Sequence, residues 1–222
     1  MADDTRIAML HTGAVVIAPL MELVRRELPG STTINYLDDR IVADLRDPDA
    51  SASVPDRVTG LARAAVAAGA RAILLTCSSI SELAAQTSEE AGVPVLRIDE
   101  AMADEAAAFH RVAVLATLPT TCEPTTRLIR ERAALAGRDP SIRSEVIDGA
   151  FAAVSAGDRA EHDRLVVAAI EAAATGCDVI VLAQASMAGA AAATEVAVPV
   201  LTSLEPGVRR LRELVESLPA RR

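Results

Sequence analysis

The sequence predicts an α/β protein made of two similar halves, each a mostly parallel sheet flanked by helices, with an active-site cleft between the halves. Two observations lead to this prediction: an internal repeat, and an alternation of short apolar runs with helical stretches, which is typical of parallel βα folds. With 222 residues, of which 51% are hydrophobic, each half can bury a core of its own.

The internal repeat covers much of the chain. The segment that begins at Arg6 aligns without a gap with the segment that begins at Arg111, and seven residues are identical at this offset of 105 positions. A second stretch around Gly69 aligns with one around Gly176 at an offset of 107, and VPVL occurs once in each half. Chance would give far fewer matches, so we interpret the chain as a duplication.

The apolar runs predict eight strands, which lie near residues 6–10, 32–37, 71–76 and 94–98, and near 111–116, 142–147, 178–183 and 198–202. A connecting helix is predicted from Pro55 to Ala68, because proline suits a first helical turn and Gly69 suits a helix end. The stretch from Pro206 onwards predicts an amphipathic helix. No linker rich in Gly or Ser separates the halves, which we place at residues 1–100 plus 205–222 and at residues 101–204.

Composition excludes several classes of protein. All 22 basic residues are arginine, and without lysine the chain offers no aldimine to pyridoxal phosphate, no Schiff-base nucleophile and no phosphate-loop lysine. A net charge of −9 and 1% aromatic residues argue against nucleic acid as a partner. No uncharged apolar run reaches the roughly 18 residues of a membrane span, and the first residues lack a secretory signal, so we expect no membrane partner and a cytoplasmic location.

The loops after the first and third predicted strands of each half are rich in hydroxyl groups. Ligands bind beyond the carboxyl ends of strands in parallel sheets, so we expect the site in these loops. Backbone N–H groups at helix starts favour an anion, which predicts a small carboxylate as substrate. The candidate substrate-binding residues are Thr12, Thr76, Ser78 and Ser79 in the first half, and Thr117, Thr120, Gln184 and Ser186 in the second.

Cys77 and His11 are the candidate catalytic residues. Cys77 follows the third predicted strand and precedes a helical stretch, whose dipole favours the thiolate form, so it could act as a base or nucleophile, or else be a small buried residue. His11 could relay a proton or only cap its loop. Cys122 is less favoured for a site role, and Cys177 is interpreted as structural. The three cysteines form no C-x-x-C pair, which favours a reducing compartment.

No metal and no other cofactor is expected. The three histidines lack metal-ligand spacing, and neither G-x-G-x-x-G after the first strand nor G-x-S-x-G occurs. The acidic residues after the second strand are interpreted as a solvated charged loop, and they are Asp38, Asp39 and Asp44.

Three segments, RAILLTCSS, ATLPT and VPVLRIDEA, together resemble the aspartate/glutamate/hydantoin racemase superfamily over nearly the whole chain. In that superfamily a cysteine from each half flanks the α-carbon of the substrate, and neither pyridoxal phosphate nor a metal is used. The resemblance implies that Cys77 is the first of these cysteines, that the loop at His11 supplies a polar partner, and that the protein is a homodimer. It also implies that the substrate carboxylate is held by Thr76, Ser78, Ser79, Thr117 and Thr120.

Gln184 departs from the pattern of this superfamily. It lies six positions after Asp178, as Cys77 lies six positions after Arg71, and it has no ionisable proton. We therefore expect a racemase or isomerase of a small carboxylate, such as an amino acid, that uses Cys77, with His11 or water serving the opposite face. Three alternatives stay open: a decarboxylase of a malonate-type diacid, a maleate-type cis/trans isomerase, and a carboxylate-binding protein without activity.

Overall fold

The computed structural model describes residues 5–219. The predicted first half also includes residues 1–4 and 220–222, which lie outside the described residues. It contains two four-stranded parallel sheets flanked by helices, which confirms the predicted fold class. The chain divides into two compact units. Unit 1 comprises the chain up to Ile98 together with the chain from Leu204 onwards, and unit 2 comprises Asp99–Ser203.

Unit 1 is built on a sheet of four strands: β1 (Thr5–His11), β2 (Ser31–Leu37), β3 (Ala72–Leu75) and β4 (Val95–Arg97). Its helices are α1 (Ile17–Glu27), α2 (Ile41–Asp44), α3 (Pro48–Ser51), α4 (Val54–Ala67), α5 (Ala84–Ala91) and α11 (Leu204–Ser217). Short 3-10 turns at Ala14–Val16 and Ser81–Leu83 precede α1 and α5. All four residues of β3 are buried, as expected for an apolar strand that is paired on both sides in a parallel sheet.

Unit 2 has a second sheet with the strands β5 (Arg111–Ala116), β6 (Ser141–Val146), β7 (Val179–Leu182) and β8 (Val200–Leu201). Its helices are α6 (Glu100–Ala106), α7 (Pro119–Leu135), α8 (Ala150–Ser155), α9 (Arg159–Ala174) and α10 (Ala188–Ala192), with a 3-10 turn at Ala185–Met187. Strand β8 is shorter than predicted, since Pro199 before it has no N–H to donate to a ladder. Of the helices within residues 5–219, none combines the length and the apolar character that a membrane span needs.

The two sheets share one topology and one internal register. The strand orders are β2-β1-β3-β4 and β6-β5-β7-β8. Ile7 pairs with Ala72 in unit 1, and Val112 pairs with Val179 in unit 2. Ile7 and Val112 are 105 positions apart, and Ala72 and Val179 are 107 positions apart, which are the two offsets of the sequence repeat. The repeat therefore identifies the equivalent positions of the two units.

The strand order also defines where each unit can bind a ligand. From β1 the chain passes to β2 on one side and later to β3 on the other side, and from β5 it passes likewise to β6 and β7. The carboxyl ends of β1 and β3, and those of β5 and β7, are therefore switch points, where open α/β sheets bind their ligands.

Helix α11 joins unit 1 through close packing at Gly207. A Cβ atom at Gly207 would lie 2.5 Å from the backbone oxygen of Ile98, which is closer than any real contact allows. Arg212 of α11 also forms an ion pair with Glu27 of α1 at 2.7 Å. The chain that follows unit 2 therefore completes the packing of unit 1.

Arg57 of α4 holds the segment that follows β2. Its guanidinium donates hydrogen bonds to the carboxylates of Asp38 at 2.6 Å and Asp44 at 2.5 Å. Asp44 is only 9% exposed, so the interpretation of this residue as part of a solvated loop is wrong. The hydrogen bond from Arg57 holds the pKa of Asp44 below its usual range, so this carboxylate stays charged at neutral pH.

The packing at Gly207 predicts opposite effects for two helical glycines. We expect Gly207→Ala to destabilise the protein by about 1–3 kcal/mol, the usual cost of overpacking, because the contact is with backbone rather than with a flexible side chain. Gly60→Ala in α4 is the matched control: a Cβ there meets no atom within 4 Å. It should stabilise the helix by up to about 1 kcal/mol through helix propensity. Urea unfolding of both variants measures this, and equal effects would contradict the packing argument.

The ion pair of Asp44 predicts a pH dependence of stability. Because its folded-state pKa is lowered, the contribution is complete above the ordinary aspartate pKa of about 4 and is lost as the pH falls through the folded-state value. Between about pH 5 and pH 3, the free energy of unfolding should therefore fall more steeply in the wild type than in Asp44→Asn. Asp39→Asn, at an exposed neighbour, should keep the wild-type slope. Urea unfolding at each pH measures this free energy. If it falls equally steeply with pH in the wild type and in Asp44→Asn, Asp44 makes no such contribution.

Candidate active site

The carboxyl ends of β1 and β3 bring together the site residues predicted in unit 1. His11 is the last residue of β1, and Thr76 and Cys77 directly follow β3. Cys77 is half-buried, whereas the other predicted residues are buried. These buried residues are His11, Thr12, Thr76, Ser78 and Ser79. Together with Cys77 and the residues that bind them, they are called the unit 1 cluster.

His11 is fully buried, and both of its ring nitrogens have a partner. Nε2 lies 2.8 Å from Oδ1 of Asn35, and Nδ1 lies 2.8 Å from Oγ1 of Thr76. Burial lowers the pKa of His11, and the hydrogen bond with Asn35 opposes this effect only in part. The ring is therefore neutral near pH 7, and only one of its nitrogens carries a hydrogen.

The hydrogen bonds of Asn35 decide which nitrogen of His11 carries that hydrogen. The Asn35 amide nitrogen donates to the sulfur of Met21 at 3.3 Å, so its carbonyl oxygen faces His11 and accepts the Nε2–H. Nδ1 is then an acceptor for the Thr76 hydroxyl. The same hydroxyl lies 3.0 Å from the carbonyl oxygen of Leu10, which already accepts the Thr76 backbone N–H. With either acceptor the hydroxyl hydrogen of Thr76 is used within the protein, and only oxygen lone pairs are left for a ligand.

The loop that carries Cys77 is held through its backbone. The carbonyl oxygen of Cys77 accepts hydrogen bonds from the Ile80 N–H at 3.1 Å and from the Ser81 hydroxyl at 3.0 Å. Helix α5 begins only at Ala84, after a 3-10 turn, so the expectation that an α-helix dipole begins next to the thiol is wrong. The field of a helix end falls off within its first turn.

In unit 2 the carboxyl ends of β5 and β7 bring Thr117 and Gln184 together. The side-chain oxygen of Gln184 accepts the Thr117 N–H at 2.5 Å. Gln184 is the structural counterpart of Cys77, because the two lie five positions after the equivalent residues Val179 and Ala72. Where unit 1 has a thiol, unit 2 thus has an amide that holds the neighbouring loop.

Thr117 and Thr120 carry buried hydroxyl groups without a partner. Thr117 follows β5 and is 4% exposed, and Thr120 is the second residue of α7. Their Oγ1 atoms find no hydrogen-bond partner within the described part of the chain. An unsatisfied buried polar group costs about 1–3 kcal/mol, and the N-terminal end of a helix favours an anion. These two hydroxyls are therefore suited to donate to a carboxylate.

Ser186 is tied to unit 2 through its backbone. Its carbonyl oxygen accepts a hydrogen bond from Arg159 of α9 at 2.7 Å, and Arg159 forms an ion pair with Asp163 at 3.1 Å. A Cβ at Gly189 would lie 3.0 Å from the same guanidinium, so the glycine leaves room for it. This contact fixes the turn that follows Gln184.

The other two cysteines, Cys122 and Cys177, and the other two histidines, His110 and His162, are not part of the hydrogen-bonded groups around Cys77 and Gln184. Cys122 and Cys177 are buried, and burial raises the pKa of both thiols. Cys177 donates to the carbonyl oxygen of Ala173 at 3.3 Å, which agrees with its structural interpretation. Within residues 5–219, no three His, Cys, Asp or Glu side chains are grouped so that they could hold a metal ion.

Asn35 and Ser81 are the residues of the unit 1 cluster that sequence reasoning missed. A signal for Asn35 existed, because asparagine is depleted in strands and this one interrupts the strand sequence STTINYL. Its partner could not be read from the sequence, since the contact depends on the register between β1 and β2. Ser81 gave no comparable signal.

Solved structures of three enzymes share this fold. Glutamate racemase from Francisella tularensis, in complex with D-glutamate, has a TM-score of 0.77 and 15% identity, with 99% of this chain and 85% of that chain covered. Allantoin racemase from Klebsiella pneumoniae has a TM-score of 0.70 and 21% identity, with 98% and 90% covered. A mutant of arylmalonate decarboxylase, in which a glycine is replaced by cysteine and a cysteine by serine, has a TM-score of 0.62 and 24% identity, with 98% and 96% covered. No curated protein sequence matches the chain.

The sequence matches one family model, described as Asp/Glu/Hydantoin racemase, over residues 10–211. This range is most of the chain and includes every candidate site residue of both units. The chain therefore belongs to the Asp/Glu/hydantoin racemase family.

Proposed function

We propose that the protein is a cofactor-independent racemase or isomerase of a small carboxylate, in which Cys77 moves the proton at the α-carbon. The position of Cys77 carries this proposal: it is the one cysteine of the three that is not buried, and it lies at the switch point of unit 1. Membership of the family supports an enzyme of racemase type. The absence of lysine supports chemistry without pyridoxal phosphate.

The proposed step is a proton transfer. The Cys77 thiolate takes the hydrogen next to the carboxylate as a proton, and the electron pair of the C–H bond moves into the carboxylate to give an enediolate. The thiol then returns a proton to the α-carbon. Because negative charge grows on the carboxylate oxygens, the reaction needs hydrogen-bond donors that are already placed against them.

Hydroxyl groups are the proposed donors. Thr117 and Thr120 have buried hydroxyls without a partner, and a carboxylate oxygen would satisfy them. Ser78 and Ser79 directly follow Cys77 and are also proposed to bind a carboxylate. Thr12 and Ser186 are proposed to line the rest of the substrate site.

Because Gln184 stands where a second thiol would be expected, the proposed proton transfer takes place on one face of the α-carbon only. A proton returned by Cys77 reaches the face from which it was taken, so the substrate exchanges hydrogen with solvent and keeps its configuration. Inversion needs an acid on the opposite face. The amide that replaces the second thiol is not acidic, so water has to supply this proton. We therefore expect hydrogen exchange to be faster than inversion.

The single thiol also favours a second candidate, the decarboxylation of a malonate-type diacid. Loss of carbon dioxide from such an acid leaves an enediolate directly. Only one proton is then needed, and Cys77 alone can supply it. This candidate uses the same hydroxyl donors and differs only in the bond that breaks.

Hydrogen exchange in D₂O tests the role of Cys77. With a panel of D- and L-amino acids and hydantoins, the wild-type protein should remove the α-proton signal of at least one compound in proton NMR spectra. Cys77→Ala should slow this exchange by about 10²–10⁴-fold, the usual contribution of a general acid–base group. Cys122→Ala changes a buried thiol and should keep the wild-type rate. Iodoacetamide should modify Cys77 alone in the folded protein.

Other results of this experiment would change the assignment. Cys77-dependent turnover of a substituted malonate would replace the first candidate by the decarboxylase, and conversion of maleate would replace it by a cis/trans isomerase. Full activity of Cys77→Ala would overturn the role of the thiol. Silence across the whole panel, together with an unreactive Cys77, would indicate a carboxylate-binding protein.

A pair of substitutions at Gln184 tests whether the missing second thiol limits inversion. Gln184→Cys puts a thiol at the position that corresponds to Cys77 in unit 2, and it should raise the ratio of inversion to exchange by at least about tenfold, since a positioned acid usually contributes more than this. Gln184→Ser removes the same contact with the Thr117 N–H and adds no thiol, so it should leave the ratio unchanged. Chiral chromatography and NMR measure the two rates. If both variants invert equally fast, the missing thiol does not limit inversion.

A further inference from the structure

We propose that Asn35 and His11 are positioning residues for Cys77, and that the side-chain hydrogen bonds from Asn35 through His11 to Thr76 hold the segment on which the thiol is carried. The inference rests on the proposed role of Cys77. It assigns His11 a role different from acid–base catalysis, and it adds Asn35 to the functional residues.

The chain of hydrogen bonds crosses three neighbouring strands. Asn35 lies on β2, His11 ends β1, and Thr76 follows β3. Both contacts are 2.8 Å long, and Thr76 is also bound through its backbone N–H to Leu10 on β1. Thr76 directly precedes Cys77 in the chain, so the position of Thr76 fixes the start of the segment that carries the thiol.

The geometry of His11 fits positioning better than proton transfer. Its ring is completely buried and both nitrogens already have partners, so a substrate meets neither of them. Asn35 accepts the Nε2–H and thereby leaves Nδ1 as the acceptor for the Thr76 hydroxyl. The network thus selects one tautomer of His11 and keeps the Thr76 hydroxyl against Nδ1.

The duplication supplies an internal control for this inference. The counterparts of Asn35, His11 and Thr76 in unit 2 follow from the strand registers and the repeat offsets, and they are Ser144, Ala116 and Ala183. Two of these residues have no polar side-chain atom, so unit 2 folds around an equivalent sheet without such a chain. The network is present in the unit that carries the thiol and absent from the unit that carries Gln184. The fold does not require it, which points to the thiol as the reason for it.

Asn35→Ala and Thr76→Val break the network at its two ends. Asn35 is exposed, so this substitution leaves the core intact. Both variants should lower kcat of the Cys77-dependent reaction by about tenfold with KM nearly unchanged, because a small displacement of a reacting group is costly. The double variant should be no worse than either single one, since both remove one network. Thr76→Ser keeps the hydroxyl and should restore the wild-type rate.

Two further readouts do not depend on turnover. In Asn35→Ala the ¹⁵N spectrum of His11 should shift from the Nε2–H towards the Nδ1–H tautomer, because Thr76 becomes the better acceptor. Iodoacetamide should alkylate Cys77 about threefold faster or more in Asn35→Ala and Thr76→Val, since a less fixed thiol is more accessible. Ser144→Ala, at the counterpart of Asn35 in unit 2, is the matched control and should change none of these values. Melting temperatures confirm that each variant is folded.

The outcomes separate this inference from the proposed function. If Asn35→Ala keeps the wild-type kcat, tautomer and alkylation rate, the positioning role is overturned. It is also overturned if Thr76→Val raises KM while Asn35→Ala has no effect, because Thr76 then contacts the substrate directly. If the wild type and Cys77→Ala show equal turnover, the proposed function fails, and the alkylation rates still decide whether the network positions the thiol.

Discussion

The parallel pairing of β1 with β3 is the constraint on which the unit 1 cluster depends. In a parallel pair the carboxyl ends of both strands lie at one edge, so a side chain that ends β1 meets a side chain that follows β3. This is how His11 reaches Thr76, although 65 positions separate them in the sequence. The same pairing of β5 with β7 places the Thr117 N–H against Gln184. Apolar strands that are buried on both faces fix these edges, and the short loops that follow them carry the polar side chains.

The sequence contains enough information for the strands and for the duplication, because both depend on local patterns. The run AILL of β3 is apolar throughout, as a central parallel strand has to be, and the repeat offsets are the structural offsets. Contacts between residues far apart in the sequence could not be predicted from these local patterns. The Asn35 contact depends on a register between strands, and the burial of Asp44 depends on Arg57 from another helix. The segment after Cys77 has helical composition, yet it begins as a turn because Ser81 and Ile80 bind the Cys77 carbonyl.

The two units show how a duplicated sheet can keep its geometry while its chemistry diverges. Strand order and register are the same in both, so the backbone positions at the two switch points correspond one to one. In unit 1 these positions carry a thiol beside the hydrogen-bond network of Asn35, His11 and Thr76, and in unit 2 they carry an amide beside alanines. Buried polar groups destabilise a core unless every member has a partner. A network that is complete in one unit and missing from the other is therefore more informative about chemistry than either unit would be alone.

The packing of α11 on unit 1 has a consequence for the order of folding during synthesis. Unit 2 is continuous in the chain, from Asp99 to Ser203, and it can fold as soon as it has left the ribosome. Unit 1 is interrupted by it: the sheet with Cys77 is made first, but the helix that packs at Gly207 is made only after all of unit 2. Until then the surface of unit 1 that α11 covers is exposed to solvent and to other chains. The half of the protein that is translated first is thus the half that is completed last.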